Sequence, residues 1–156
     1  LDILTKTGDT IVNRIRENLA STGSNATGET SRTLRFEAIN ASPTSQKLMI
    51  FGRAYFFSVE TGRKATPQYT KPSETFVAKI QAWMNAKGKE GSAYAIAKGI
   101  HAKGTKLFQD GGRQDIVSNV VNKSLTDQLS KEILDRYAQE FLKNAVKLSS
   151  SGNNSN

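Results

Sequence analysis

The sequence predicts a single α+β domain with an N-terminal helix, a small antiparallel sheet, and then several helices that include a long C-terminal one. Three observations predict it: an amphipathic segment near the N-terminus, two short strand-like runs at 33–39 and 47–51, and apolar residues at helical spacing from 115 to about 148. The 156 residues suffice for one domain with a core. We expect that domain to span 1–148, followed by a polar tail at 149–156.

The N-terminal helix is predicted for Thr10–Ala20, where Ile11, Ile15 and Leu19 share one face. Asp9 or Thr10 is expected to cap it, because either side chain can accept from the free amides of a first turn. Residues 21–31 are almost entirely Gly, Ser, Thr, Asn and other small or polar residues, so a flexible connection is predicted.

The sheet is predicted from two neighbouring runs. Leu34, Phe36 and Ala38 alternate with charged residues, which is typical of a half-buried strand, and residues 47–51 form an apolar run that ends at Gly52. The turn-forming residues 42–46 between them favour an antiparallel pair. The next segment, 55–59, is open to two interpretations, because its apolar residues fit strand alternation and a helical face equally well.

Two further helices are predicted before the long one. Ser73 is expected to begin a helix whose apolar face includes Trp83, a residue that suits either a core or an interface. Ser92 is expected to cap the next helix and Gly104 to end it. In the last helix a break is expected near Asn122, with Ser124 and Asp127 as a capping box.

The net charge of +8 lies entirely in the middle of the chain. Residues 47–106 hold eleven Lys or Arg against three Glu, whereas the segments before and after are each neutral. Such a concentration suggests a surface that faces a negative partner, although solubility alone would also favour charge.

Catalytic, metal and cofactor chemistry has no support in the sequence. The chain has no Cys and one His, His101, and it contains neither a Walker loop nor a G-x-G-x-x-G motif. We therefore expect no enzyme activity and no cofactor. The apolar runs are too short to cross a bilayer and no signal pattern begins the chain, so a soluble, intracellular protein without membrane contact is expected.

A motif in the middle of the chain resembles a known family. A strand is followed by Tyr55-x-x-x-Val59-Glu60-x-Gly62 and then by a basic, proline-bearing segment. This arrangement resembles the tail-component family of tailed bacteriophages, the neck, tail-completion and head–tail connector proteins. The segment 94–105 also resembles part of such neck proteins, and the order of elements agrees over roughly residues 8–147.

The resemblance implies a structural protein of the head–tail junction, located in the virion neck or tail and in the host cytoplasm during assembly. It implies a homo-oligomeric ring of sixfold or twelvefold symmetry that contacts portal or adaptor proteins and tail proteins. Tyr55, Val59, Glu60 and Gly62 would then form a subunit interface. For Glu60 we keep two hypotheses: a contact with a neighbouring subunit's basic loop, or a local role in which it caps or forms an ion pair with its own Arg63 or Lys64.

In such a ring the basic region would face either the packaged DNA, through nonspecific phosphate contacts, or an acidic portal ring. We expect the DNA-channel or portal-facing residues to be Lys87, Lys89, Lys98, Lys103 and Lys106, with possible additional contacts from Arg53, Arg63 and Lys64. Arg14, Arg16 and the 115–147 helix are expected to face elsewhere. The loops 21–31 and 62–72 and the tail are expected to become ordered on assembly. The alternative function is a free-standing basic nucleic-acid-binding protein, although aromatic residues do not interleave with the basic ones as stacking platforms would.

Overall fold

The computed structural model describes residues 2–42, 45–66 and 71–152. Helices make up more than half of the chain, and the only sheet among the described residues has two strands, so the predicted α+β class is confirmed. In chain order the elements are α1 (Asp2–Ser21), α2 (Glu29–Thr33), β1 (Arg35–Ser42), β2 (Ser45–Phe51), α3 (Ser58–Thr61), α4 (Glu74–Ala86), α5 (Ala93–Lys103), α6 (Lys106–Gln109) and α7 (Lys123–Gly152).

The two strands form the predicted antiparallel hairpin. Arg35 lies opposite Phe51 and Ala38 opposite Leu48. Leu34, at the entrance to β1, is fully buried, while Phe36, Leu48 and Ile50 are half-buried on the core. The alternation read from the sequence therefore identifies the face of the hairpin that packs inward.

The core joins the N-terminal helix to the segment that precedes α7. Its buried residues come from α1, from the start of β1, from the turn before α3, and from the segment that precedes α7: Ile11, Val12, Ile15, Leu19, Leu34, Phe56, Ile116 and Val120. Each such side chain contributes about 1.5–3 kcal/mol through burial. The core therefore depends on contacts between segments that are far apart in sequence.

Helix α1 begins eight residues earlier than the sequence predicted. The predicted caps Asp9 and Thr10 lie inside the helix, as does Gly8, although a glycine in a helix interior costs about 1 kcal/mol relative to alanine. In the structure Gly8 is buried, and a Cβ there would overlap the Phe36 ring, with the ring's Cγ only 2.6 Å away. Gly8 thus lets β1 approach α1. Thr10 is not a cap, because its hydroxyl donates to the carbonyl of Lys6 inside the helix.

The segment 21–31 is not the flexible connection that its composition predicted. It makes turns at Gly23 and Gly28 and then enters α2, where Thr30 is buried. Arg16 on α1 holds it, since its guanidinium donates to the carbonyls of Ser31 and Leu34 at 3.2 and 2.8 Å. These hydrogen bonds give order to a segment that has little apolar area to bury.

The caps of the middle helices are as predicted. The Ser73 hydroxyl accepts from the amide of Phe76 at the start of α4, and the Ser92 hydroxyl accepts from that of Ala95 at the start of α5. Gly104, at φ +81°, ends α5. The two helices contact each other and contribute the buried residues Met84, Ala93 and Ala97, while Trp83 is half-buried.

The prediction of a last helix that starts at Asp115 is wrong up to Asn122, because residues 115–120 form turns and α7 begins directly after Asn122, where a break was predicted. The cap is the side chain of Asn122, which accepts from the amide of Leu125 at 3.0 Å, rather than Ser124. Helix α7 continues to Gly152, so the prediction of a tail from Ser149 is wrong as far as Gly152, and residues 153–156 lie outside the described residues. Leu125, Leu129 and Ile133 are half-buried, but the side chains from Leu134 to Lys147 are exposed.

Candidate functional site

The motif that carries the resemblance lies in a turn followed by the short helix α3. Of the two interpretations of 55–59 the structure adopts the helical one, with Phe56 buried and Val59 half-buried. Glu60 lies one helical turn after Phe56 and is only 8% exposed. Tyr55 is 40% exposed, with the Arg53 guanidinium 5.9 Å above its ring. The motif therefore has a buried end at Glu60 and an exposed end at Tyr55.

The Glu60 carboxylate binds three consecutive backbone amides. Its Oε1 accepts from the amides of Ile116, Val117 and Ser118 at 2.5–3.0 Å. Its Oε2 accepts from the Ser118 hydroxyl at 2.6 Å. These amides belong to the first residues of the turn 115–120 and have no acceptor within it, like the first amides of a helix. The carboxylate of Glu60 supplies the missing acceptor.

Glu60 is ionised in this setting. Burial opposes ionisation, but the hydrogen bonds from the Ser118 hydroxyl and the amides of 116–118 outweigh it and lower the pKa of Glu60 below its ordinary value. The carboxylate therefore carries its charge at neutral pH, where amide and hydroxyl dipoles stabilise it, and this charge also helps to raise the pKa of Arg113.

The main chain of Glu60 binds the same segment a second time. Its carbonyl accepts from the amide of Arg113 at 2.9 Å. Gly112, at φ +85°, passes so close that a Cβ would lie 2.8 Å from that carbonyl. The Arg113 guanidinium pairs with Asp115 through two hydrogen bonds, which raise the pKa of Arg113 and lower that of Asp115. Glu60 thus fixes the segment 112–118 from both ends.

This geometry differs from one of the two hypotheses for Glu60. Neither Arg63 nor Lys64 forms an ion pair with it in the described part of the chain, so the proposed pairing with its own loop is absent. Inside the subunit Oε1 accepts three hydrogen bonds and Oε2 accepts one, and the contact with a neighbouring subunit stays a prediction. The sequence carried no signal for these hydrogen bonds, because residues 116–118 look like the start of a helix and lie 56–58 positions away.

Gly62 brings the motif against the other segment that resembles neck proteins. At φ +71° it takes a conformation that favours glycine, and a Cβ there would lie 2.6 Å from Thr105 Oγ1 and 2.8 Å from Phe108 Cα. Arg63 and Thr105 exchange two hydrogen bonds, each 2.9 Å long. Thr66 binds His101 in the same way, with its amide donating to the His101 carbonyl and its hydroxyl 2.7 Å from Nδ1. His101 is therefore a structural partner of the loop 62–66.

These hydrogen bonds bring four basic residues of the middle region into one part of the molecule. We call them the basic cluster: Arg63, Lys64, Lys103 and Lys106. The three lysines are exposed, while Arg63 is half-buried with its guanidinium 3.8 Å from the centre of the Phe76 ring. A stacked guanidinium of this kind is held in a fixed orientation. The cluster lies beside the C-terminal end of α5.

The five lysines predicted to share one surface do not lie in one row. Lys87 and Lys89 follow α4: the ammonium of Lys87 donates to the carbonyl of Gly23, and that of Lys89 lies 5.7 Å from the Trp83 ring. Lys98 and Lys103 are five residues apart on α5, about 140° around its axis. Arg53 pairs with Glu29 at 3.2 Å, and its guanidinium and the Lys79 ammonium both lie over the Tyr55 ring. The basic charge is therefore spread along and around α5.

The chain matches no protein-family model, no curated protein and no solved structure. No helix within the described ranges combines the length and apolar character needed to cross a membrane. Within the same ranges, no three His, Cys, Asp or Glu side chains are grouped so that they could hold a metal ion.

Proposed function

We propose that this chain is a structural subunit of the head–tail junction of a tailed bacteriophage, assembled as a ring around the axis through which DNA passes. The observation that carries the proposal is the contact around Gly62. The first segment that resembles neck proteins, 55–62, contacts the second, 94–105, at Gly62 and Thr105, and the residues directly after it add the Arg63–Thr105 and Thr66–His101 pairs. A likeness found in two contacting segments is stronger support than one found in either alone.

The chemistry of the site also favours an assembly role over catalysis. The Glu60 carboxylate accepts four hydrogen bonds from its own chain, which suits a structural role better than proton transfer. Among the described side chains, every buried polar atom has a hydrogen-bond partner. These observations favour a function in binding through the protein surface. There the positive charge of the basic cluster suits packaged DNA or an acidic ring of portal or adaptor subunits. Such a protein would reside in the virion neck and, during assembly, in the host cytoplasm.

The experiment is an assembly assay with extracts that contain filled heads and tails but lack this chain. Adding the wild-type chain should restore joined, infectious particles. The triple variant Lys64→Glu, Lys103→Glu and Lys106→Glu, within the basic cluster, should fold normally, because exposed charges contribute little to stability, yet restore far fewer particles. The matched control reverses three exposed charges elsewhere, Lys6→Glu, Arg14→Glu and Lys131→Glu. Failure of the wild-type chain to restore joining would refute the proposed function.

The charge of residues 47–106 also favours a second candidate, a free-standing nucleic-acid-binding protein. Filter binding to duplex DNA separates the two. A ring subunit that lets DNA slide should bind weakly and without sequence preference as an isolated chain. Tight binding that weakens steeply with salt would favour the second candidate.

A further inference from the structure

A cleft lies between the segment 24–32 and one side of helix α4, and we call it the α4 cleft. Its volume is about 730 Å³, which is within the range of clefts that bind ligands. The residues that α4 contributes recur at helical spacing and so form one side of the helix: Thr75, Ala78, Lys79, Ala82 and Trp83. Three of these are small, which leaves the cleft open in its middle.

Both walls of the α4 cleft are held in place by other parts of the chain. The first wall is bound by Arg16, whose guanidinium donates to the carbonyls of Ser31 and Leu34. At one end of the cleft the ammonium of Lys87, directly after α4, donates to the carbonyl of Gly23 at 2.7 Å and so joins the two walls. The shape of the cleft therefore does not depend on a ligand.

The α4 cleft is positively charged. Three cationic side chains and one carboxylate line it, which gives a net charge of +2: Arg32, Arg53, Lys79 and Glu29. Arg53 pairs with Glu29, so the excess charge belongs to Arg32 and Lys79. These two exposed side chains form no ion pair with any residue that the structure describes. Cations in a cleft attract a negatively charged group.

Two aromatic rings line the same cleft, and each has a cation near it. Tyr55 is 40% exposed, and the Arg53 guanidinium and the Lys79 ammonium lie 5.9 and 5.7 Å from the centre of its ring. Trp83 is half-buried, and the Lys89 ammonium lies 5.7 Å from its ring. These distances are close to the limit of about 6 Å for such contacts, so a group that stacks on the rings can replace the cations.

We propose that the α4 cleft binds single-stranded nucleic acid, with bases stacked on Tyr55 and Trp83 and phosphates beside Arg32 and Lys79. Proteins that bind single strands combine a positive groove with aromatic side chains on which bases stack. A duplex keeps its bases paired inside the helix, so it would leave the two rings unused. An acidic peptide offers the negative charge without a regular succession of flat rings. A single strand alone uses both the rings and the cations.

The fold assembles this site from segments that are separate in the sequence. Arg32 belongs to α2, Tyr55 follows β2, and Lys79 and Trp83 are one turn apart on α4. For that reason aromatic and basic residues do not alternate along the chain, although they meet in the α4 cleft. The inference goes beyond the proposed function and does not rest on it, because a ring subunit and a free-standing protein can each carry such a cleft.

The fluorescence of Trp83 reports on the α4 cleft directly, because the chain has one tryptophan. A short oligodeoxythymidylate should quench this fluorescence in a saturable way as a base stacks on the indole ring. A duplex of the same length and a polyglutamate of the same charge should bind at least about tenfold more weakly, since stacked bases are absent from both complexes. Equally tight binding of either competitor, or an oligonucleotide that leaves the fluorescence unchanged, would overturn the inference.

Two variants separate the contribution of stacking from that of charge. Tyr55→Ala should weaken binding of the oligonucleotide by about 5- to 150-fold, the effect of losing one stacked base, and leave its salt dependence unchanged. Lys79→Gln should weaken binding and reduce the slope of log affinity against log salt by about 0.7, the value for one phosphate contact on a single strand. Both side chains are exposed, so the variants should fold, which circular dichroism checks.

The matched controls are Tyr94→Ala on α5 and Lys131→Gln on α7, which remove an exposed tyrosine and an exposed lysine that do not line the cleft. They should leave the affinity unchanged. Equal losses in the cleft variants and the controls would assign the binding to surface charge in general and overturn the inference. The particle-joining assay decides the proposed function separately. Binding of a single strand in the cleft without restored joining would refute the function and keep the inference.

Discussion

Ser118 donates two hydrogen bonds to Glu60, from its amide to one carboxylate oxygen at 2.9 Å and from its hydroxyl to the other at 2.6 Å. The two residues are 58 positions apart, so this pair fastens the segment before α7 to the motif that follows the hairpin. Because Ile116 and Val120 of that segment belong to the core, the position of Glu60 decides whether the core closes correctly.

Replacing Glu60 by Gln should destabilise the fold by about 1–3 kcal/mol, since an amide oxygen is a weaker acceptor and its NH₂ group faces donors. Glu60→Ala should cost at least as much, because three buried amides then lose their acceptor. Urea unfolding followed by circular dichroism measures both. The control is Glu132→Gln on the exposed side of α7, which should change the free energy of unfolding by less than about 0.5 kcal/mol. Equal effects at the two positions would contradict the role assigned to Glu60.

Stability should fall in acid, and Glu60 should contribute to that fall. Its pKa is lower in the folded protein than the ordinary value of 4.5, so its hydrogen bonds contribute fully above that pH. The contribution is lost as the pH drops below 4.5 and through the folded-state pKa. The free energy of unfolding of the wild type should therefore decrease more steeply between about pH 5 and pH 3 than that of Glu60→Gln. Asp115, whose pKa is also lowered, is present in both proteins and cancels in the comparison. Parallel pH profiles would show that Glu60 is not ionised in the fold.

Two glycines at positive φ should respond differently to alanine. Gly62→Ala combines backbone strain with a clash against Thr105 and Phe108. Gly88→Ala, at φ +59°, has the backbone strain alone, because nothing lies within 4 Å. We expect a cost of about 1–2 kcal/mol at Gly88 and a clearly larger one at Gly62. Thermal unfolding of the two variants would reveal the difference, and equal melting temperatures would argue against the close contact between the motif and α6.

Replacing two helical glycines by alanine should change the stability of the protein in opposite directions. Gly99→Ala in α5 meets no atom within 4 Å and should stabilise the protein by up to about 1 kcal/mol, the usual gain in a helix interior. Gly8→Ala in α1 should destabilise it, because the new methyl group overlaps the Phe36 ring. Chemical denaturation with the wild type as reference distinguishes these outcomes. A stabilising Gly8→Ala would show that α1 and β1 can separate without cost.

Local patterns explain what the sequence could predict. The apolar face of α1, the alternation in β1, the caps Ser73 and Ser92, and the break at Asn122 all depend on residues within a few positions of one another. The start of α1 could not be predicted, since Gly8 serves a contact with Phe36, which lies outside its own helix. The regular structure of residues 21–31 could not be predicted for the same reason, because the end of this segment is bound by Arg16, which belongs to another element, α1.

At the candidate site, too, local patterns could be predicted from the sequence and contacts between distant segments could not. The sequence singled out Glu60 and Gly62 as motif residues, but it could not show that the carboxylate binds the amides of 116–118. Backbone amides are present at every position, so no residue type marks them as partners. The five lysines were grouped by their closeness in sequence, whereas the geometry of α5 separates Lys98 from Lys103 around the helix.

The long-range pairing of α1 also bears on how the chain folds during synthesis. Asn18 donates to the carbonyl of Ile116, 98 residues later, and Ile15 shares the core with Val120. At a ribosomal rate of about 5–20 residues per second, α1 leaves the ribosome roughly 5–20 s before those partners exist. During that interval Ile11, Ile15 and Leu19 form an unprotected apolar stripe on the nascent chain. Productive folding therefore waits for the chain to be extended past Val120, and chaperones that bind amphipathic helices have that interval in which to act.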